Sequence, residues 1–168
     1  RYRHTSFGLR YLLANLGELA EQALLVETQI KESAEAIAAM ILAEQPRIVG
    51  LGVYVRNAVL ALEVLPLLRA ERPELVIVLG GPEVSHEWTE QEIVTLADYT
   101  VTGEGEHALR ALCEGVLSDA QPTESILHGG SPALETLALP YDLYTAEDLA
   151  HRVVYVEASR GCPFRCQF

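Results

Sequence analysis

The chain has 168 residues, enough for one domain with a sizeable core. Apolar residues make up 49% and charged residues 21%, the proportions of an ordinary globular chain. The formal net charge of −12 argues against a nucleic-acid or anionic-membrane surface, since both need clustered Lys and Arg. No apolar run approaches the roughly 20 residues of a membrane span, and no signal peptide is evident. Three cysteines, two of them close together, read as a reduced, cytoplasmic context and not a disulfide framework.

From the N-terminus, Arg1 to Gly8 leads directly into a helix carrying Leu9, Leu12, Leu13, Leu16 and Leu19 on its apolar side. No strand precedes it, so the central first strand of a flavodoxin-like sheet is expected to lie before residue 1. Leu24-Leu25-Val26 is a strand candidate. Ser33 to Ala43 is a helix, with Ala34, Ile37, Ala38 and Ile41 on one face. Ile48 to Tyr54 is a buried strand. Asn57 caps the next helix, which carries Leu60, Ala61, Val64, Leu65 and Leu68 inward. Leu75 to Leu79 is a continuous apolar strand ended by Gly80-Gly81-Pro82. Thr89-x-x-Glu92 fits a capping box before a short helix. Tyr99 to Thr102 is a strand and Glu104 to Leu117 a helix, with Ala108, Leu109, Leu112, Cys113 and Val116 inward. Residues 119–150 read as a polar linker with a short strand at Ser125 to His128 and a helical element from Tyr141 to Ala150. Val153 to Val156 is the last strand.

Strands buried on both faces and separated by helices specify an α/β domain, a doubly wound parallel sheet with helices on both faces. It covers residues 1–118, followed by the linker and a C-terminal extension over 151–168. In such sheets ligands bind beyond the carboxyl ends of the strands. The residues expected there are His4, Thr5 and Ser6; Tyr54, Val55, Arg56 and Asn57; Gly80, Gly81, Pro82, Glu83 and Val84; and Gly103, Glu104, Gly105 and Glu106. Paired glycines let a backbone approach a flat, bulky ligand. Gly103-x-Gly105-x-x-Ala108 formally matches a dinucleotide fingerprint. Glu104 and Glu106 would repel a pyrophosphate at a helix N-terminus, so a tight turn with carboxylates complementing the helix dipole is preferred.

The chain ends Ser159-Arg160-Gly161-Cys162-Pro163-Phe164-Arg165-Cys166-Gln167-Phe168. Taken alone, a C-x3-C pair is also compatible with two free or disulfide-paired cysteines. In its setting, after a strand and within a basic Gly/Pro loop, it resembles the cluster loop of radical S-adenosylmethionine enzymes, cut before its third ligand. The loop signatures before it, in order, are Tyr2-Arg3-His4-Thr5-Ser6-x-Gly8-Leu9-Arg10-Tyr11-Leu12, Gly50-Leu51-Gly52-Val53-Tyr54-x-x-Asn57, Gly80-Gly81-Pro82-Glu83-Val84 and Thr102-Gly103-Glu104-Gly105-Glu106. Together they resemble the cobalamin-binding domain that precedes the barrel of many such enzymes. That family includes radical methylases and the anaerobic magnesium-protoporphyrin monomethyl ester cyclase. The resemblance implies cobalamin held at the strand ends with its tail inserted between strands. It implies Cys162 and Cys166 as ligands of a four-iron, four-sulfur cluster that works with S-adenosylmethionine in the full-length protein. It also implies a radical barrel following this chain as its partner, a small-molecule substrate, and no catalysis by this fragment alone.

Cobalamin domains that ligate cobalt through histidine carry D-x-H-x-x-G. Here His4 lies four residues before Gly8 and Tyr2 stands in place of the aspartate, so His4 is not expected to ligate cobalt. The remaining histidines, His86, His107, His128 and His151, show no metal-binding spacing, and Cys113 falls on an apolar helix face. Three rival readings of the same fold remain: a response-regulator-like interaction module, a flavin- or nucleotide-binding domain, and a scaffold that has lost cobalamin. The first predicts an acidic cluster with a lysine at the strand ends, whereas the only lysine is Lys31. The second needs a hydroxyl-rich phosphate cradle, which His4-Thr5-Ser6 only partly supplies.

Overall fold

The architecture is taken from a computed structural model that describes residues 3–161. Four parallel strands form the main sheet: β2 (Ile48–Gly52), β3 (Val76–Gly80), β4 (Tyr99–Thr102) and β5 (Ile126–His128), in the order β2-β3-β4-β5. Their register pairs Gly52 with Gly80, Gly80 with Val101, and Val101 with Leu127. Six helices are present among the described residues: α1 (Phe7–Ala14), α2 (Ala34–Ala43), α3 (Ala58–Glu71), α4 (Glu92–Thr95), α5 (Glu106–Leu117) and α6 (Ala146–His151).

The alternation of side chains along β3 divides the core into two layers. Ile77 and Leu79 turn toward α2 and α3 and pack with Ala38, Val64, Leu65 and Leu68; Ile93 of α4 joins this layer. Val78 turns the other way, toward Val101 of β4 and toward Leu112 and Val116 of α5. α1 lies against α5 on that second face. The sheet is therefore doubly wound, as the buried strand runs require.

Local chemistry sets the element ends. Ser33 caps α2 by accepting the Ala36 N–H at 3.2 Å. Thr145 and Asp148 form a reciprocal capping box at the start of α6. β2 stops at Gly52, two residues short of the expected Tyr54: the Val53 N–H makes the last rung to the Gly80 carbonyl at 2.7 Å, and the Tyr54 N–H then turns back to the Asn57 side chain at 2.7 Å. α5 begins at Glu106 and not Glu104, because Gly103 takes φ +74° and holds the next two residues in a loop.

Three expectations are corrected. Leu24 to Val26 forms no strand; Leu24 is 65% exposed, and no described strand lies alongside to complete a ladder. Thr89 and Glu92 do not form a capping box: Trp88–Glu90 is a 3-10 turn, and α4 starts from Gln91 without a side-chain cap. A short strand does precede the first helix, β1 (Arg3–His4). It pairs in parallel with β6 (Arg152–Val153) in a separate two-stranded sheet. Val154 to Val156, read as part of the last strand, lie beyond that pairing.

Candidate functional site

β2 and β3 both end in glycine, Gly52 and Gly80, whereas β4 ends in the buried Val101 and Thr102. Gly52 and Gly80 are register partners, so both stand on the same sheet face, and period-2 alternation places Gly50 there too. A methyl group at Gly50 would meet nothing within 4 Å, and one at Gly80 would meet only the Val101 carbonyl at 3.7 Å. The face of β2 and β3 that points toward α1 therefore has open space above Gly50 and beside Gly80, while the Tyr54 ring and Leu9 stand over Gly52, 3.3 and 3.8 Å from where a Cβ would lie.

The loop after β3 is fixed by a close backbone approach. Gly81 takes φ +105°, and a Cβ there would lie 2.5 Å from the Val53 carbonyl oxygen. Only glycine combines that conformation with that contact. The Val53 carbonyl accepts the Glu83 N–H at 3.3 Å. Ser85 joins two loops: its hydroxyl donates to the Gly81 carbonyl at 2.8 Å and accepts the Gly103 N–H at 3.3 Å. After β4, the Gly129 N–H donates to the Thr102 carbonyl at 2.8 Å, and the backbones of Gly129 and Glu104 touch so closely that no side chain fits at Gly129.

The expected site residues fall into three groups. Tyr54, Val55 and Arg56 are exposed on the rim beyond β2, with Val55 at 79%. Gly80, Gly81, Pro82 and Glu83 line the next loop, and Gly103, Glu104 and Gly105 the one after. Asn57 and Val84 lie in the same loops but serve the protein itself. The Asn57 side chain accepts the Tyr54 N–H at 2.7 Å and donates to the Gly52 carbonyl at 2.9 Å, and Val84 is wholly buried. His4, Thr5 and Ser6 are engaged elsewhere. The His4 ring stacks on Tyr155, the buried Thr5 hydroxyl donates to the Val153 carbonyl at 2.9 Å, and the Ser6 N–H donates to Glu27. Cys162 and Cys166 lie outside the described residues.

Two ionic clusters are present among the described residues, and the second touches the loop after β4. In the first, Arg10 and Arg152 alternate with Glu27 and Asp148. Arg10 contacts both carboxylates at 3.0 Å, and Arg152 contacts them at 2.6 and 2.8 Å. Burial by itself would raise the Asp148 pKa. Hydrogen bonds from Thr145, Arg152 and Arg10 outweigh it and hold the carboxyl at about 2. In the second cluster, Arg160 lies among Glu104, Glu106 and Glu157, over the face of Tyr11. Burial, then the Glu157 carboxylate, push the Tyr11 hydroxyl up to about 12.

The family described as the B12 binding domain matches residues 1–113 of this sequence, two thirds of the chain. The chain belongs to that family. The N-terminal domain of a hypothetical protein from Thermotoga maritima, a solved structure, is similar over 71% of this chain and 91% of its own, at 20% identity and a TM-score of 0.46. No curated protein matches.

The residues present suit the flat, amide-rimmed corrin that the family name implies. The open face at Gly50 and Gly80 suits a bulky group, and exposed Tyr54 and Val55 add apolar rim. No three His, Cys, Asp or Glu among the described residues group to hold a metal ion. No described helix is long and apolar enough to cross a membrane. Sequence reasoning missed Ser85 and left Gly50 and Gly52 out of the site. Period-2 alternation along β2 was the available signal for the glycines. For Ser85 there was none, because its partners come from two separate loops.

Proposed function

We propose that this B12-binding domain holds cobalamin across the carboxyl ends of β2, β3 and β4. We further propose that it serves a radical S-adenosylmethionine enzyme with a four-iron cluster. The open face at Gly50 and Gly80 carries the first part, since it leaves room where side chains would otherwise fill it. The loop signatures and the Cys162–Cys166 pair support the second.

Gly80 and Gly81 would run alongside the cofactor's tail, and Tyr54, Val55 and Arg56 would border the ring. Glu83 can accept hydrogen bonds from primary amides, a role that the same charge would forbid toward a pyrophosphate. Bound cobalamin supplies cobalt-based methyl-transfer or radical chemistry. This chain's residues bind and orient it, while Cys162 and Cys166 would ligate the cluster with a further residue beyond this chain. The reaction proposed is methyl transfer, or radical modification or cyclisation of a small molecule such as a tetrapyrrole, in the cytoplasm.

Titration with hydroxocobalamin, followed by visible absorbance and calorimetry, tests the reading. Saturable binding is expected, and Gly50→Leu should weaken it at least tenfold while leaving the thermal unfolding midpoint near that of the unaltered chain, because the added side chain has space. Absence of binding by the unaltered protein would overturn the reading and leave a scaffold that has lost cobalamin. For the cluster, anaerobic reconstitution of the full-length protein with iron and sulfide should give visible absorbance that Cys162→Ala abolishes.

A further inference from the structure

The C-terminal segment does not simply pass the sheet; it is gripped by it. One nitrogen of Arg160, Nη1, donates to Glu104 at 3.0 Å and to Glu106 at 2.8 Å, while Nε and Nη2 hold Glu157 at 3.2 Å. The guanidinium carbon lies 4.7 Å from the Tyr11 ring centre, and the Arg160 side chain is only 15% exposed. Glu104 and Glu106 precede Arg160 by 56 and 54 residues and belong to the loop and helix start after β4. Glu106 is 5% exposed, and its second oxygen has no partner among the described residues. A buried carboxylate in that state depends on its one cation.

We infer that Arg160 is a positioning residue that fastens the segment leading into Cys162 and Cys166 to the β4–α5 corner of the B12-binding sheet. This inference rests on the cobalamin reading and adds a mechanical consequence to it. Gly103, Glu104 and Gly105 lie on the candidate cofactor rim, and Arg160 holds the middle one of the three. A ligand that orders this loop therefore strengthens the grip on Arg160, and by reciprocity the grip favours the ligand. Among the described residues, the cation touching Glu104 and Glu106 is Arg160 alone.

Removing Arg160 alone would strand Glu106 as a buried unpaired charge, so the informative variant is Arg160→Gln combined with Glu106→Gln. Hydrogen exchange is followed in the full-length protein with and without hydroxocobalamin, and the cofactor's affinity is titrated. In the double variant, exchange over residues 157–161 should accelerate at least tenfold, with protection in β2, β3 and β4 held within about twofold. In the unaltered protein hydroxocobalamin should slow exchange over 157–161, and in the double variant it should not. Unchanged exchange over 157–161 in the variant would overturn the inference. So would hydroxocobalamin that binds the unaltered protein yet leaves 157–161 unaffected, although the cobalamin reading would then survive. Failure of the unaltered protein to bind hydroxocobalamin would overturn both.

Discussion

Arg10 and Asp148 are 138 residues apart in sequence and 3.0 Å apart in space. Arg10 is 3% exposed, and Tyr144 lays its ring 4.9 Å from the guanidinium carbon. Glu27 and Arg152 complete the ring of charges, and Arg152 also donates to the His4 carbonyl at 2.8 Å. The first helix, the stretch around Glu27 and the C-terminal helix are thus held by one nearly dry network.

Removing one member should therefore cost more than an exposed ion pair would. Asp148→Asn leaves Arg10 and Arg152 sharing Glu27 and is expected to lower stability by about 3 kcal/mol, the scale for breaking a buried pair. The urea midpoint of the variant measures this. Arg10→Met with Asp148→Asn, which removes a matched pair, should cost less than the sum of the single changes.

The same residue sets an acid limit. Asp148 is held at about 2, against an ordinary value of 3.8. A depressed carboxyl contributes its stability above the ordinary value and loses it as pH falls toward the folded one. The contribution, about 2 kcal/mol, should be complete above about pH 5 and fade between about pH 4 and pH 2. Unfolding free energies across this range should decline less steeply in Asp148→Asn than in the unaltered chain.

Gly81→Ala is expected to destabilise by about 2 kcal/mol or more, from the positive φ together with the clash against Val53. A methyl group there cannot be relieved by a side-chain rotation, because the atom it meets is a backbone oxygen. Thermal unfolding of Gly81→Ala beside Gly50→Leu checks it: the first adds atoms in the loop after β3 and the second within β2, and only the first should unfold early.

Much of the sheet was legible because buried parallel strands are continuous apolar runs, as in Val76 to Leu79, and the helices show three-to-four-residue spacing. Gly80-Gly81 likewise announced a turn needing glycine. Leu24 to Val26 had the composition of a strand, but a strand also needs a neighbour, which composition does not report. His4, Thr5 and Ser6 were read as rim residues from their place before α1. What fixes them, Val153, Tyr155 and Glu27, is distant in sequence. The Arg160 cluster was equally hidden, since its partners come from opposite ends of the domain.

Ser85→Ala removes the hydroxyl that joins the loops after β3 and β4. Two hydrogen bonds disappear, and a stability loss of about 1 kcal/mol is expected. The larger effect should fall on hydroxocobalamin affinity, because Gly81 and Gly103 would no longer be held in fixed relation. A Kd raised by about tenfold, with a modest shift in thermal midpoint, is the expected pattern; equal affinity would show that the loops are set by their glycines alone.

His4 offers the sharpest contrast with histidine-ligating B12 domains. Its ring centre lies 5.8 Å from that of Tyr155 at an interplanar angle of 27°, and Nδ1 faces the Tyr155 hydroxyl. No carboxylate bonds to the imidazole among the described contacts, so nothing orients it as a metal ligand of raised basicity. His4→Ala should therefore leave the visible spectrum of the hydroxocobalamin complex unchanged and its Kd within about twofold. Tyr155→Phe, which removes the ring's hydrogen-bond partner, should be equally silent. A spectrum that loses a nitrogen-ligand signature in His4→Ala would place the imidazole on cobalt. That would require the stacking on Tyr155 to break when cobalamin binds, and Tyr155→Phe would then strengthen binding by releasing the ring.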